Sequence, residues 1–350
     1  MRNEIEYIAG DLLDRVALVG TPLNADLYDG GLYALEACIL PGRGRLSPGE
    51  HGVTFLAMNR TAEFFFTGRG HQMEVTINSR AGIFPTFPLP QAQMSKPIQG
   101  VLLDLDGTCI KSEAFWIRTI LDTTNIARER CGIEPLEGFL EKELPHISGR
   151  TVPEHLMYCI ENYCPGFPLG ALQEIYTRLA EEYIVKCNSG EDAFDAFEPA
   201  EGLKELLLAL KEQGIKIALV TSGLYYKAWP EVEQAMEKMN LGDATTFFDA
   251  IITSGTLAGP GQCGTMGNAI AKPWPNIYFE AAQALGFTME TSAHFVGVGD
   301  SNADAVAVRL MGSPFIGIKG GNIAEGATQA MCSHFVDGLP ELLDVLRKFF

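Results

Sequence analysis

The 350-residue chain predicts an α/β fold: a doubly wound, Rossmann-like parallel sheet core with an inserted α-helical cap, preceded by a small N-terminal mostly β domain. Three observations carry this. Short apolar runs ending in polar residues alternate with helix-period segments, the pattern of a parallel sheet covered on both faces. A helix-rich stretch interrupts that alternation just after its first strand. Before residue 95 the pattern changes to period-two alternation and Gly-rich turns. The expected boundaries are 1–95 for the β domain, 98–112 with 199–350 for the core, and 113–198 for the cap.

Strands are expected over 52–58, 62–67 and 72–78, where Val75 and Ile77 alternate with Thr76 and Asn78. The stretch FPTFPLPQAQMSKP carries Pro85, Pro88, Pro90 and Pro97. Proline removes backbone donors, so it is expected to be a linker. GVLLDLD is the first core strand. The cap shows helical periodicity over 114–130, 152–163 and 169–185, and its acidic residues outnumber its basic ones. The core resumes with the helical GLKELLLALKEQG, where Gly214 suits a C-terminal cap. The strands IKIALVTSG, DAIITSG, AHFVGVGD and SPFIGIKG come next, with helices at 276–285 and 302–311.

Composition excludes several functions. Lys plus Arg is 26 and Asp plus Glu is 44, a net charge of −18. Such a chain repels nucleic acid and anionic membranes. No apolar run approaches the roughly 20 residues of a membrane span. Glu4, Glu6, Asp11 and Asp14 argue against a secretory signal. The eight cysteines form no CxxC pair, so reduced thiols in a cytoplasmic protein are expected. Residues 254–271 include a GxGxxG match at Gly259, Gly261 and Gly264. It does not open a helix directly after a strand, so it is a weak dinucleotide signal and is read instead as a loop framing the crevice.

Polar residues cluster at four strand ends. In LLDLDGT, Asp104 and Asp106 lie two apart and point to one side of an extended chain. Gly107 allows a sharp turn, and Thr108 can cap the next element. Thr221 and Ser222 end the strand ALVTSG and can donate to an anion. Lys272 in AKPWP sits on proline-stiffened backbone and can bind phosphate. Asp300 and Asp304 in GVGDSNAD have the spacing that shares one helix face. Carboxylates gathered this closely repel: at about 4 Å and an effective dielectric near 20, each pair costs roughly 4 kcal/mol. A hard cation relieves this, and oxygen-only ligands point to Mg²⁺.

In this order, DLDGT, TSG, KPWP and GDSNAD resemble the haloacid dehalogenase-like superfamily over roughly residues 99–350. The KPWP form and the helical cap are similar to the branch of phosphoglycolate phosphatases and β-phosphoglucomutases. The resemblance implies that Asp104 is the nucleophile, forming an aspartyl-phosphate, and that Asp106 is the general acid and then base. It implies that Thr221, Ser222 and Lys272 hold the phosphoryl oxygens. Asp104, Asp300 and the backbone carbonyl of Asp106 would bind Mg²⁺, with Asp304 supporting the metal or orienting Lys272. The superfamily's dehalogenases lack the second aspartate, so Asp106 favours phosphate chemistry. HISGRT resembles the specificity loop of the cap, and Arg150 would reach the substrate.

The expected activity is therefore Mg-dependent hydrolysis of a small phosphorylated metabolite, such as phosphoglycolate or a sugar phosphate. Two alternatives remain open: a β-phosphoglucomutase-like phosphotransferase, and a non-catalytic sensor of phosphorylated metabolites. The mutase is disfavoured on two counts. Val152 stands where those enzymes carry an arginine, and Gly299–Asp300 stands where they carry an acidic pair.

Overall fold

The structure, a computed structural model, describes residues 17–19, 32–35, 37–40, 44–59, 63–78, 84–140, 143, 147, 152–189, 191, 196–254, 271–321, 323 and 331–350. Arg150 and loop residues 255–270 lie outside the described residues.

The N-terminal strands are β1 (Ala17–Val19), β2 (Leu32–Ala34), β3 (Ala37–Leu40), β4 (Gly44–Leu46), β5 (Val53–Asn59), β6 (Phe64–Arg69), β7 (Gln72–Ile77) and β8 (Thr86–Leu89). They form two antiparallel sheets, ordered β1-β3-β4 and β2-β5-β6-β7-β8. The expected linker is therefore only partly a linker, because Thr86–Leu89 joins a sheet. Pro88 is tolerated there because β8 is an edge strand, and proline lacks the donor a central strand would need.

The core sheet begins with β9 (Gly100–Asp104). The cap is entered at β10 (Ile110–Lys111) and left at β11 (Glu198–Pro199), which pair antiparallel as the two sides of its stem. Between them lie α1 (Glu113–Arg130), α2 (Val152–Tyr163) and α3 (Leu169–Ser189). Then come α4 (Leu203–Glu212), β12 (Lys216–Leu224), α5 (Tyr225–Met239), α6 (Ala244–Phe247), β13 (Ala250–Ser254) and α7 (Asn276–Ala284). The chain closes with β14 (Phe295–Gly299), α8 (Asn302–Leu310), β15 (Phe315–Ile318), β16 (His334–Val336) and α9 (Leu339–Arg347).

The six-stranded sheet is parallel throughout, ordered β13-β12-β9-β14-β15-β16. All five residues of β9 are buried, as expected for a strand covered on both faces. Its side chains divide by period two. Val101 and Leu103 join the apolar cluster shared with α4, α5, α9 and the cap, while Leu102 joins the cluster shared with α7 and α8. From β9 the chain winds first to β12 and β13 on one side, then to β14, β15 and β16 on the other. The crevice between β9 and β14 is thus a switch point, where open α/β sheets bind ligands. Register puts Val220 opposite Asp104 and Val298 opposite Leu103, so Asp104, Thr221 and Asp300 come to nearly the same level; Thr221 and Ser222 do not end their strand as expected, because β12 runs on to Leu224 past an irregularity in its pairing with β13.

Among the described residues, no helix is long and apolar enough to cross a membrane. Asp300 differs from expectation. It precedes α8, whose N-cap is Ser301, so it shares no helix face with Asp304. Asp304 is instead the N3 member of a capping box with Ser301. Thr108 also does not cap; its hydroxyl donates to Asp104 Oδ2 at 3.0 Å.

Candidate active site

Asp104, Asp300 and Asp304 converge: each can present a carboxylate oxygen such that all lie within 4.8 Å of one another. Asp104 ends β9, Asp300 follows β14, and Asp304 sits in the first turn of α8. Two glycines leave room for the Asp300 carboxylate. Gly107, at φ +81°, and Gly321 would each drive a Cβ into its oxygen. No donor to that carboxylate is found among the described residues, whereas its backbone carbonyl accepts from the Ile323 amide at 3.0 Å.

Lys272 anchors the other side. Its side chain is only 5% exposed, and its ammonium touches Asp104 Oδ1, Asp304 Oδ1 at 2.6 Å and the Val220 carbonyl at 3.0 Å. Asp304 is otherwise fully engaged: Tyr278 Oη donates to Oδ1 at 2.9 Å, and Ser301 Oγ donates to Oδ2 at 2.5 Å. Asp304 thus carries two donors on each oxygen, counting Lys272 and the Ser301 amide, whereas each Asp104 oxygen carries one. Burial, then the Asp304 charge, raise Asp104 to about 7 despite Lys272. Burial, then Asp104 and Asp304, push Asp300 well above the usual carboxylate range. Two buried acids and a half-buried one, with one ammonium between them, lack positive charge, and their hard oxygen donors fit Mg²⁺.

Asp106 stands apart from the trio, in its own cage. Ser112 Oγ donates to Oδ1 at 2.7 Å, Thr221 Oγ1 to Oδ2 at 3.1 Å, and Lys227 Nζ to Oδ1 at 2.5 Å. Burial alone would raise its pKa, but Lys227 and these hydroxyls hold it down at about 2. Ser222 supports the loop on the Lys272 side: its Oγ accepts from the Lys272 amide at 3.2 Å, and its carbonyl accepts from Ser254 Oγ at 2.5 Å.

Sequence reasoning missed Lys227 and Glu231. Lys227 lies in the first turn of α5, beyond Thr221, and pairs with Glu231 at 3.4 Å. It also lies 4.8 Å over the ring of Trp116, whose indole donates to Glu231 Oε1 at 2.6 Å. The faint signal was a lysine near a helix start, where a cation opposes the helix dipole, with a glutamate four residues on. Glu231 is fully buried, and burial followed by the Asp106 charge raise it to about 8. Removing the cation strands the Asp106 carboxylate it pairs with, so Lys227→Met is expected to cost about 3–5 kcal/mol in chemical denaturation at pH 7. Glu231→Gln, a stand-in for the protonated acid, is expected to cost less than about 1 kcal/mol. Equal losses in the two variants would refute this charge assignment.

Comparison with known proteins fits this arrangement. The family model described as haloacid dehalogenase-like hydrolase matches residues 98–312, and the chain belongs to that family. It is a hydrolase of the phosphatase type. It is 26% identical over 258 residues to the pyrophosphatase PpaX of Halalkalibacterium halodurans, covering 71% of this chain and 97% of that protein. It is 29% identical over 268 residues to a glyceraldehyde 3-phosphate phosphatase of Methanopyrus kandleri, covering 72% and 98%. Among solved structures, a predicted phosphoglycolate phosphatase of Haemophilus somnus superposes with TM-score 0.52 at 17% identity, covering 71% of this chain and 97% of that one. CbbY of Rhodobacter sphaeroides, in complex with phosphate, superposes with TM-score 0.50 at 19% identity, covering 70% and 96%. These likenesses bear out the α/β core, and the family match, which begins at residue 98, leaves the N-terminal sheets outside it.

Proposed function

We propose that the protein is a Mg²⁺-dependent phosphatase of small phosphorylated metabolites that works through an aspartyl-phosphate on Asp104. The observation that carries this is the Lys272 ammonium held between Asp104 and Asp304, beside the Asp300 carboxylate. That arrangement gives a phosphoryl group a nucleophile and a cation on one side, with an acid–base residue, Asp106, close by. The phosphatase names of the relatives, on pyrophosphate and a triose phosphate, point to the same substrate class.

In the first step an Asp104 oxygen attacks phosphorus and the bond to the leaving oxygen breaks. Asp106 gives that oxygen a proton. In the second step water attacks phosphorus, Asp106 takes its proton, and the bond to Asp104 breaks to release phosphate. Lys227 and the two hydroxyl donors favour the ionised form of Asp106, and an arriving phosphate dianion raises its proton affinity by like-charge repulsion. Thr221, Ser222 and Lys272 hold the phosphoryl oxygens. Asp104, Asp300 and the backbone carbonyl of Asp106 would hold Mg²⁺, which neutralises charge on the transferring group.

Residues 113–198 act as a cap that closes over residues 98–112 and 199–350, with Arg150 choosing the substrate. The eight cysteines belong to a cytoplasmic protein in this reading, and no disulfide joins the seven described ones. Phosphate release should be measured over a panel of phosphorylated metabolites, with Mg²⁺ and with a chelator. Release that depends on Mg²⁺ is expected, and Arg150→Ala should change the order of preferred substrates. Isomerisation of a hexose phosphate without phosphate release would overturn the phosphatase in favour of a mutase. Binding without turnover would leave a sensor.

A further inference from the structure

The N-terminal five-stranded sheet turns one face to the catalytic core. On β7, Met73, Val75 and Ile77 share a face by period two. Cross-strand register brings Phe64 and Phe66 of β6 and Phe87 and Leu89 of β8 to the same face, with Phe64 opposite Ile77, Phe66 opposite Val75, Phe87 opposite Val75 and Leu89 opposite Met73. All of these join the apolar cluster of α7 and α8. Seven of the nine residues of α8 are buried, so this helix is covered on its outer side as well as by the parallel sheet. Arg309, near its end, donates to the Pro90 carbonyl at 2.5 Å and the Met331 carbonyl at 2.7 Å, tying the two parts together.

This contact reaches the active site. Phe87 meets Trp274 edge-on, with ring centroids 6.0 Å apart and an interplanar angle of 86°. Trp274 is two residues past Lys272, and its amide donates to the Ala271 carbonyl at 3.3 Å, closing a turn with Lys272 and Pro273 at its centre. Of the two helices under the sheet, α7 begins at Asn276, shortly after Lys272, and α8 carries Asp304 in its first turn.

We propose that the N-terminal sheet is a positioning element of the phosphate-binding loop, in which Phe87 braces Trp274 and thereby aims the Lys272 ammonium at the bound phosphoryl group. This rests on the reading that Lys272 grips phosphoryl oxygens. Phe87 and Trp274 are positioning residues; neither touches the reacting atoms.

The test uses the full chain saturated with Mg²⁺ and orthovanadate as a mimic of the transferring phosphoryl group, with its dissociation constant measured by calorimetry. Phe87→Ala and Trp274→Ala are each expected to weaken vanadate about tenfold, the size of a lost edge-to-face contact. The double variant should lose no more than about twofold beyond either single variant, because the two residues act as one brace. Phe87→Tyr, which keeps the ring, should retain wild-type affinity, and the Mg²⁺ concentration for half-activation should not change in any of them. Unchanged vanadate binding in both alanine variants overturns the proposal. So does a loss of Mg²⁺ activation that parallels the vanadate loss, which marks general structural damage. Lys272→Met is the benchmark: if it binds vanadate like the wild type, the reading of Lys272 itself fails, independently of the brace.

Discussion

Asp104→Asn is expected to lower kcat/KM by about four orders of magnitude or more, because an amide oxygen cannot form the covalent intermediate. Its effect on stability should be small. Asp104 is buried among like charges and is raised to about 7, so the folded protein already disfavours its charge at neutral pH. Asparagine retains one oxygen for Lys272 and offers its NH2 to the Thr108 hydroxyl, which can turn to accept, and Lys272 keeps Asp304 as its counter-ion. Steady-state kinetics with circular-dichroism melting checks both halves. A variant that keeps more than about a hundredth of wild-type turnover would contradict a nucleophilic role, since a merely supporting carboxylate costs that little.

Asp300→Asn is expected to act in opposite directions on activity and on metal-free stability. It removes an oxygen ligand without any donor of its own among the described residues, so Mg²⁺ activation should weaken strongly and turnover should fall about 10²-fold or more at fixed Mg²⁺. Without metal, it removes a carboxylate that burial and its neighbours strongly disfavour, so the melting temperature should rise by about 5 °C. The pH dependence gives the sign. Asp104 and Asp300 have folded pKa values above the ordinary 3.8, so the folded state binds more protons than the unfolded one across the window above it. That contribution to stability is present below about pH 4; the Asp104 share is lost as pH rises to about 7, and the Asp300 share is lost as pH rises above the usual carboxylate range. Metal-free wild-type protein should therefore lose thermal stability over that range, Mg²⁺ should restore it most at neutral pH, and Asp300→Asn should flatten both trends. Thermal melts at several pH values, with and without Mg²⁺, decide this. An unchanged Mg²⁺-dependent shift in Asp300→Asn would remove Asp300 from the metal site.

Much of the site was legible because its residues lie at strand ends. Asp104, Thr221, Ser222 and Asp300 each follow a short apolar run, and a parallel sheet brings such ends to one edge whatever the loops do. The start of α2 at Val152 and of α3 at Leu169 followed from helical periodicity. What stayed hidden depends on contacts between distant segments. Lys227 reaches Asp106 across 121 positions, and Trp116 reaches Glu231 across 115, pairings that no local spacing reveals. Thr86–Leu89 read as linker because prolines flank and enter it, yet an edge strand accepts Pro88. The docking of the N-terminal sheet had one legible clue. ALVTSG-type strands need helices with one apolar face, whereas NADAVAVRL keeps apolar residues around its whole circumference.

The most direct measurement is a crystal structure of the protein with Mg²⁺ and beryllofluoride, a mimic of the phosphorylated aspartate. The expected result is beryllofluoride bound to a carboxylate oxygen of Asp104, with Mg²⁺ shared between Asp104 and Asp300 and Lys272 on a fluorine. Beryllofluoride bound elsewhere, or a metal ligated by neither carboxylate, would contradict covalent phosphoryl transfer at Asp104.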